Sequence, residues 1–165
     1  PKWRLFNPDL AGGALLDIGI YTLTMAQMVA QSEVESMQVQ CVISKTGIDE
    51  TNAMQLKYSN GIIAQLSSTF TTGLKNEATI YGTKGTITIP LFWMSKKAVL
   101  NNDKGEETFV DDTPEMGYNY ETQHVGEMLL QGKTESPVMP HSRSLHMMKL
   151  MDSIRKQMGL VYPFE

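Results

Sequence analysis

Asp17 and Tyr21 lie four residues apart in Gly12-Gly13-Ala14-Leu15-Leu16-Asp17-Ile18-Gly19-Ile20-Tyr21, a stretch that is otherwise apolar. On a helix that spacing puts both side chains on one face, one turn apart. A carboxylate and a phenol so placed can reach one small molecule. The competing reading is structural: a surface acid beside a buried tyrosine whose hydroxyl has a partner. Spacing alone does not separate the two. An aspartate is nevertheless an unusual choice on an apolar helix, because desolvation disfavours its charge.

Other chemistry is thinly represented. Gly12-Gly13 lacks the GxGxxG spacing after a strand that marks a dinucleotide site. Gly82-Thr83-Lys84-Gly85 lacks the strand–loop–helix setting of a phosphate loop and reads as a hairpin turn. His141 and His146 are five apart, Cys41 is remote in sequence, and no HExxH occurs, so no metal site is expected. No Ser or Cys sits in a GxSxG elbow. His124 reads as a packed or solvent-edge histidine, and Asp111-Asp112 as a solvated turn before Pro114.

The elements that must position these residues follow from composition and pattern. A chain of 165 residues suits one domain, spanning 1–165, and 41% hydrophobic against 19% charged residues is a globular mix. A net charge of -4 with no Lys/Arg block argues against nucleic-acid binding. The one cysteine, Cys41, has no internal disulfide partner, which fits a reducing, cytoplasmic setting. The apolar run Ala14–Ala30 is interrupted by Asp17, Gln27 and several hydroxyls, so no membrane span is expected.

Pro1–Asp9 is expected to be extended, with Asp9 as a cap near the first helix. Gly12-Gly13 would let the backbone approach something closely. The first helix is expected from about Gly13 to Gln31. Strands are expected at Ser36–Ser44, Ala53–Tyr58, Ile62–Thr71, Ala78–Tyr81, Thr86–Ile89, Ala98–Leu100 and Thr108–Val110. Turn residues around Asn60-Gly61, Gly82–Gly85 and Asn101–Gly105 join them as hairpins. Helices at Tyr118–Gln131 and Ser142–Met158 follow, the last closed by Gly159. The order implies an α+β fold, a mainly antiparallel open-faced sheet with helices packed on one face. The other sheet face must be solvated or pair with another subunit.

Arg4–Tyr21, RLFNPDLAGGALLDIGIY, resembles the start of the first helix in the C-terminal domain of the Gfo/Idh/MocA oxidoreductases. Tyr81–Thr86, Tyr120-Glu121 with His124-Val125, Glu135-Ser136-Pro137, Ser144–Arg155 and Gly159–Pro163 resemble later parts of that domain in the same order. The resemblance is closest to the dimeric dihydrodiol dehydrogenase and glucose–fructose oxidoreductase branch. It implies the C-terminal domain fold of glyceraldehyde-3-phosphate-dehydrogenase-like two-domain oxidoreductases. The N-terminal Rossmann domain, with the nucleotide site and a catalytic lysine, is then absent from this chain, and the isolated piece is expected to be inactive.

By the same resemblance Tyr21 exchanges the proton and Asp17 assists it. Trp93 and Arg4 meet the substrate, and Gly12 and Gly13 lie beside an NAD or NADP cofactor held mainly by the other domain. Tyr21 occupies a position that is histidine in many sugar dehydrogenases of the family and tyrosine in the dihydrodiol branch. The implied substrate is a sugar, polyol or cyclic diol, oxidised or reduced at a secondary alcohol. The implied assembly is a homodimer or larger homo-oligomer through the sheet face. The alternative is a non-catalytic sugar-binding or oligomerisation module that keeps the fold. A Rossmann fingerprint immediately upstream would separate the two.

Overall fold

Alternation of apolar and polar residues along the strands, and their three-to-four-residue recurrence along the helices, assigns each element a core face. The computed structural model describes residues 3–113 and 117–165, so Pro1 and Pro114, which bound two of the expectations above, lie outside the described residues. The helices are α1 (Ile20–Ala30), α2 (Tyr118–Leu130) and α3 (His141–Met158). The strands are β1 (Val34–Ile43), β2 (Asp49–Tyr58), β3 (Ile63–Thr69), β4 (Glu77–Gly82), β5 (Gly85–Pro90), β6 (Lys97–Asn102) and β7 (Gly105–Val110). Every strand pairing is antiparallel. The chain divides into two compact units, the described residues of Pro1–Leu74 with Ser142–Glu165, and Lys75–His141.

In the first unit the sheet order is β1-β2-β3. Met37, Val39, Met54, Leu56, Tyr58, Ala64 and Leu66 point to one face. They share an apolar cluster with Leu23, Ala26 and Ala30 of α1 and Met147, Leu150, Met151 and Ile154 of α3. Removing a large side chain from such a cluster costs about 2–5 kcal/mol. The opposite face carries Gln38, Gln40, Ala53, Gln55, Gln65 and Ser67, all exposed. Register aligns Gln38, Gln55 and Gln65 in one cross-strand row. Helices on one face and an open second face match the expected architecture.

A smaller cluster joins Ile48, Leu160 and Tyr162 to Phe6 and Phe70, whose rings meet edge to face at 4.9 Å. By composition and length Pro8–Ala30 could cross a membrane. Its Leu15, Leu23, Ala26 and Ala30 instead pack in the core.

The second unit is the meander β4-β5-β6-β7 with α2. Its two hairpins turn where the glycines predict, with Gly82 opposite Gly85 and Asn102 opposite Gly105. His124 on α2 meets the Ser136 hydroxyl at 2.7 Å.

Two expectations are corrected. The strands form a three-stranded and a four-stranded sheet rather than one, because pairing stops after Thr69. There the Thr71 amide turns to the Thr69 hydroxyl (3.2 Å) instead of a neighbouring strand. The segment before the first helix is not extended but forms two 3₁₀ turns, Arg4–Phe6 and Pro8–Leu10. Pro8 suits a first helical position, and the Asn7 side chain accepts the Asp9 amide at 3.0 Å.

Candidate functional site

The polypeptide reaches the site through Gly12 and Gly13. A Cβ on Gly12 would stand 2.6–2.8 Å from the carbonyl oxygens of Leu5, Arg4 and Asn7. Gly13 has φ +124°, and a Cβ there would stand 2.2 Å from Asp49 Oδ1. Both glycines are buried. The close approach expected of them is met by the chain's own backbone and by Asp49.

The helix cap comes from Asp49, 34 residues away in sequence, and not from Asp9. Asp49 Oδ2 accepts the Leu15 amide at 2.8 Å and the Asn52 side-chain amide at 2.8 Å. Ser68 in turn donates to Asn52 Oδ1 at 2.9 Å. All three residues are buried. A carboxylate at a helix N-terminus satisfies an orphan amide and meets the positive end of the helix dipole. Burial pushes the Asp49 carboxyl above its usual range, while Asn52 and the amides of Leu15, Asp49 and Ala14 pull it back in part.

From Leu15 to Gly19 the first turn is a π turn, after which α1 begins. The Ile20 amide reaches back to the Leu15 carbonyl, five residues earlier. π turns are rare and often sit at functional sites. A turn closed over five residues holds more residues than the 3.6 of an α-helix. The four-residue step from Asp17 to Tyr21 therefore overshoots one full turn by less than it would in a straight α-helix. Gly19 allows the tight packing: a Cβ there would lie 3.2 Å from both Leu15 Cδ1 and Ser68 Oγ.

Asp17 pairs with Arg4, whose guanidinium donates to Asp17 Oδ1. The Asp17 side chain keeps 30% of its surface exposed, and Tyr21 keeps 48%. Neither is sealed in the core. Trp93 belongs to the second unit, exposed in the turn after β5, where the Met94 amide bonds the Leu91 carbonyl at 2.8 Å. The structure thus brings Arg4, Asp17 and Tyr21 to one helix start, with Gly12 and Gly13 packed beneath.

The buried chain of Asp49, Asn52 and Ser68 escaped the sequence reading, though Asn52 stands in phase with the inward Met54, Leu56 and Tyr58. A polar residue in a core-facing row was the signal. Tyr162 escaped it too, because its partner lies at the other end of the chain. Its hydroxyl donates to the Gly12 carbonyl, and Arg155 lies over its ring at 5.1 Å. Arg155 also grips Glu165 through two bonds of 2.9 and 2.7 Å.

Among the described residues no three His, Cys, Asp or Glu side chains gather to hold a metal ion. Gly12 and Gly13, the two adjacent glycines among the described residues of the first unit, are packed against the chain's own backbone and Asp49.

Residues 1–88 match the family model described as the GFO/IDH/MocA C-terminal domain. The chain is 39% identical over 168 residues to trans-1,2-dihydrobenzene-1,2-diol dehydrogenase of Xenopus laevis, covering 97% of this chain and 51% of that protein. It is 32% identical over 170 residues to the Homo sapiens enzyme of the same name, covering 97% and 50%. The chain spans about half the length of these relatives. Among solved structures, an aldose-aldose oxidoreductase from Caulobacter crescentus complexed with glycerol matches with a TM-score of 0.82 at 21% identity, over 95% of this chain and 49% of that one. KijD10, a 3-ketoreductase from Actinomadura kijaniata in complex with NADP and TDP-benzene, matches with a TM-score of 0.79 at 21% identity, over 95% and 50%.

Proposed function

This chain belongs to the GFO/IDH/MocA family through its C-terminal domain, and on that premise we propose that it is the substrate-binding and oligomerising half of an NAD(P)-dependent oxidoreductase. The substrate is a sugar, polyol or cyclic diol, taken at a secondary alcohol. The observation that carries this reading is the exposure of Asp17 and Tyr21 on successive turns of a helix whose Leu15, Gly19, Leu23 and Ala26 are buried. The diol dehydrogenases among its relatives support the substrate class.

When bound, the nicotinamide supplies the hydride acceptor or donor. The Tyr21 hydroxyl exchanges a proton with the substrate oxygen. The Asp17 carboxylate accepts a hydrogen bond from a neighbouring substrate hydroxyl. Arg4 holds Asp17 in place and has further N–H groups to offer an oxygen. The binding of NAD or NADP falls mainly to residues outside the first unit, whose adjacent Gly12 and Gly13 are packed internally.

The same reading assigns the exposed face of β1-β2-β3 to contact with a second copy of the chain. Its exposed amide and hydroxyl side chains suit a polar subunit interface. A cytoplasmic setting belongs to this reading as well, with Cys41 as the lone thiol.

The test expresses the protein from its complete reading frame. It follows nicotinamide absorbance with NAD and NADP against aldoses, polyols and trans-1,2-dihydrobenzene-1,2-diol. Turnover is expected with at least one, and Tyr21→Phe should lower kcat by about 100-fold or more with KM little changed. Equal kcat in that variant defeats the role given to Tyr21. No turnover on any of them defeats the enzyme reading and leaves the non-catalytic module.

A further inference from the structure

The inward row of β2 changes character beneath the π turn. Tyr58, Leu56 and Met54 are buried and belong to the apolar core, while Asn52 continues the row and Asp49 lies just beyond it, also buried. Ser68 stands directly opposite Asn52 on β3. Buried polar groups cost free energy unless paired; Asp49 Oδ2, Asn52 and Ser68 are paired to one another and to the helix backbone, while Asp49 Oδ1 is buried without a hydrogen-bond partner. Their path is specific. Asp49 holds the amide of Leu15, the first residue of the π turn. Asn52 bridges Asp49 to Ser68. The Ser68 hydroxyl lies against Gly19, the last residue of the same turn. The hydrogen bonds run from the Leu15 amide through Asp49 and Asn52 to Ser68. Packing of the Ser68 hydroxyl against Gly19 carries the contact to the far end of the π turn, and all three side chains are buried.

We propose that Asp49, Asn52 and Ser68 are positioning residues: together they hold the π turn and so set the angle between Asp17 and Tyr21. This rests on the reading that those two side chains meet the substrate. A helix start capped at Leu15 alone would leave the far end free to relax to an α turn. Such a relaxation would rotate Tyr21 relative to Asp17 without touching either. Catalytic geometry is sensitive to displacements of this size, because a misplacement of about 1 Å can cost roughly 100-fold in rate.

Amide hydrogen exchange on this chain tests the structural claim, and kinetics on the protein from its complete reading frame test its consequence. Ser68→Ala removes a single oxygen at the far end of the chain of bonds. It should raise exchange at the Ile20 amide, which closes the π turn, by about tenfold or more while Met54 and Leu56 keep their protection. It should lower kcat about tenfold with KM within about twofold of the native value. Asp49→Ala should do the same. Asp49→Asn keeps an oxygen for Leu15 and Asn52 and should restore both readouts to within about threefold of native.

Unchanged Ile20 exchange in Ser68→Ala overturns the proposal, as does a rise shared equally by Met54 and Leu56. Raised exchange with native kcat overturns it too. Should Asp49→Ala not fold, Ser68→Ala decides alone. If the native protein turns over none of the substrates tested, the enzyme reading fails, while the exchange result still decides whether these residues hold the turn.

Discussion

The phenolic hydroxyl of Tyr162 donates to the carbonyl oxygen of Gly12 at 2.7 Å, inside the protein and across 150 residues of chain. The C-terminal tail is thereby tied to the backbone that launches the helix of Asp17 and Tyr21. Arg155 braces the tail by gripping Glu165 and lying over the Tyr162 ring.

Tyr162→Phe should destabilise the protein by about 1–3 kcal/mol, since it strands a buried carbonyl. Burial pushes the Tyr162 hydroxyl up to about 12. An unfolded tyrosine titrates near about 10. The hydroxyl's contribution is therefore complete below about pH 10 and fades as pH climbs toward the folded value. Urea unfolding should find the gap between native protein and variant narrowing over that alkaline window. A constant gap would mean that Tyr162 does not titrate as its burial requires.

Asp49 gives the same comparison at acid pH. Its folded pKa is raised by burial, so its protonated form is the one the fold favours. Its stabilisation is full below the unfolded value of about 3.9 and is lost as pH rises through the raised folded value. Asp49→Asn removes this dependence. The variant should gain on the native protein as pH rises from about 4, with the difference levelling once pH has passed the raised folded value. Urea midpoints across that range measure it, and a difference that moves the other way refutes it.

Gly13→Ala should cost about 3 kcal/mol or more, because backbone strain at positive φ coincides with a collision against Asp49 in the core. Gly61→Ala is the matched control. It also has positive φ but open space around it, so it should cost only about 1–2 kcal/mol. Equal losses would show that conformation, and not the packing against Asp49, makes Gly13 necessary.

Gln55→Arg tests the proposed subunit face. Gln55 sits mid-row between Gln38 and Gln65 on the exposed side of the sheet. Two copies meeting there would bring like charges together, so light scattering should find the variant shifted toward monomer. A native protein that is already monomeric removes this face from the reading.

By itself the sequence determined the fold class, most element positions and the candidate pair Asp17 and Tyr21. Period-two alternation in Met54, Leu56 and Tyr58, the turn glycines at 61, 82, 85 and 105, and the closing Gly159 are local signals, each readable within a few residues. Asp17 and Tyr21 stood out because their spacing is local as well. The tertiary structure alone decided what holds them. The cap on Leu15 comes from a strand 34 residues on, Ser68 of another strand packs against Gly19 at the end of the π turn, and the carbonyl of Gly12 waits for the last residues of the chain. A hydrogen bond between distant segments leaves no periodicity in either, so only folding, which makes them neighbours, can assign it.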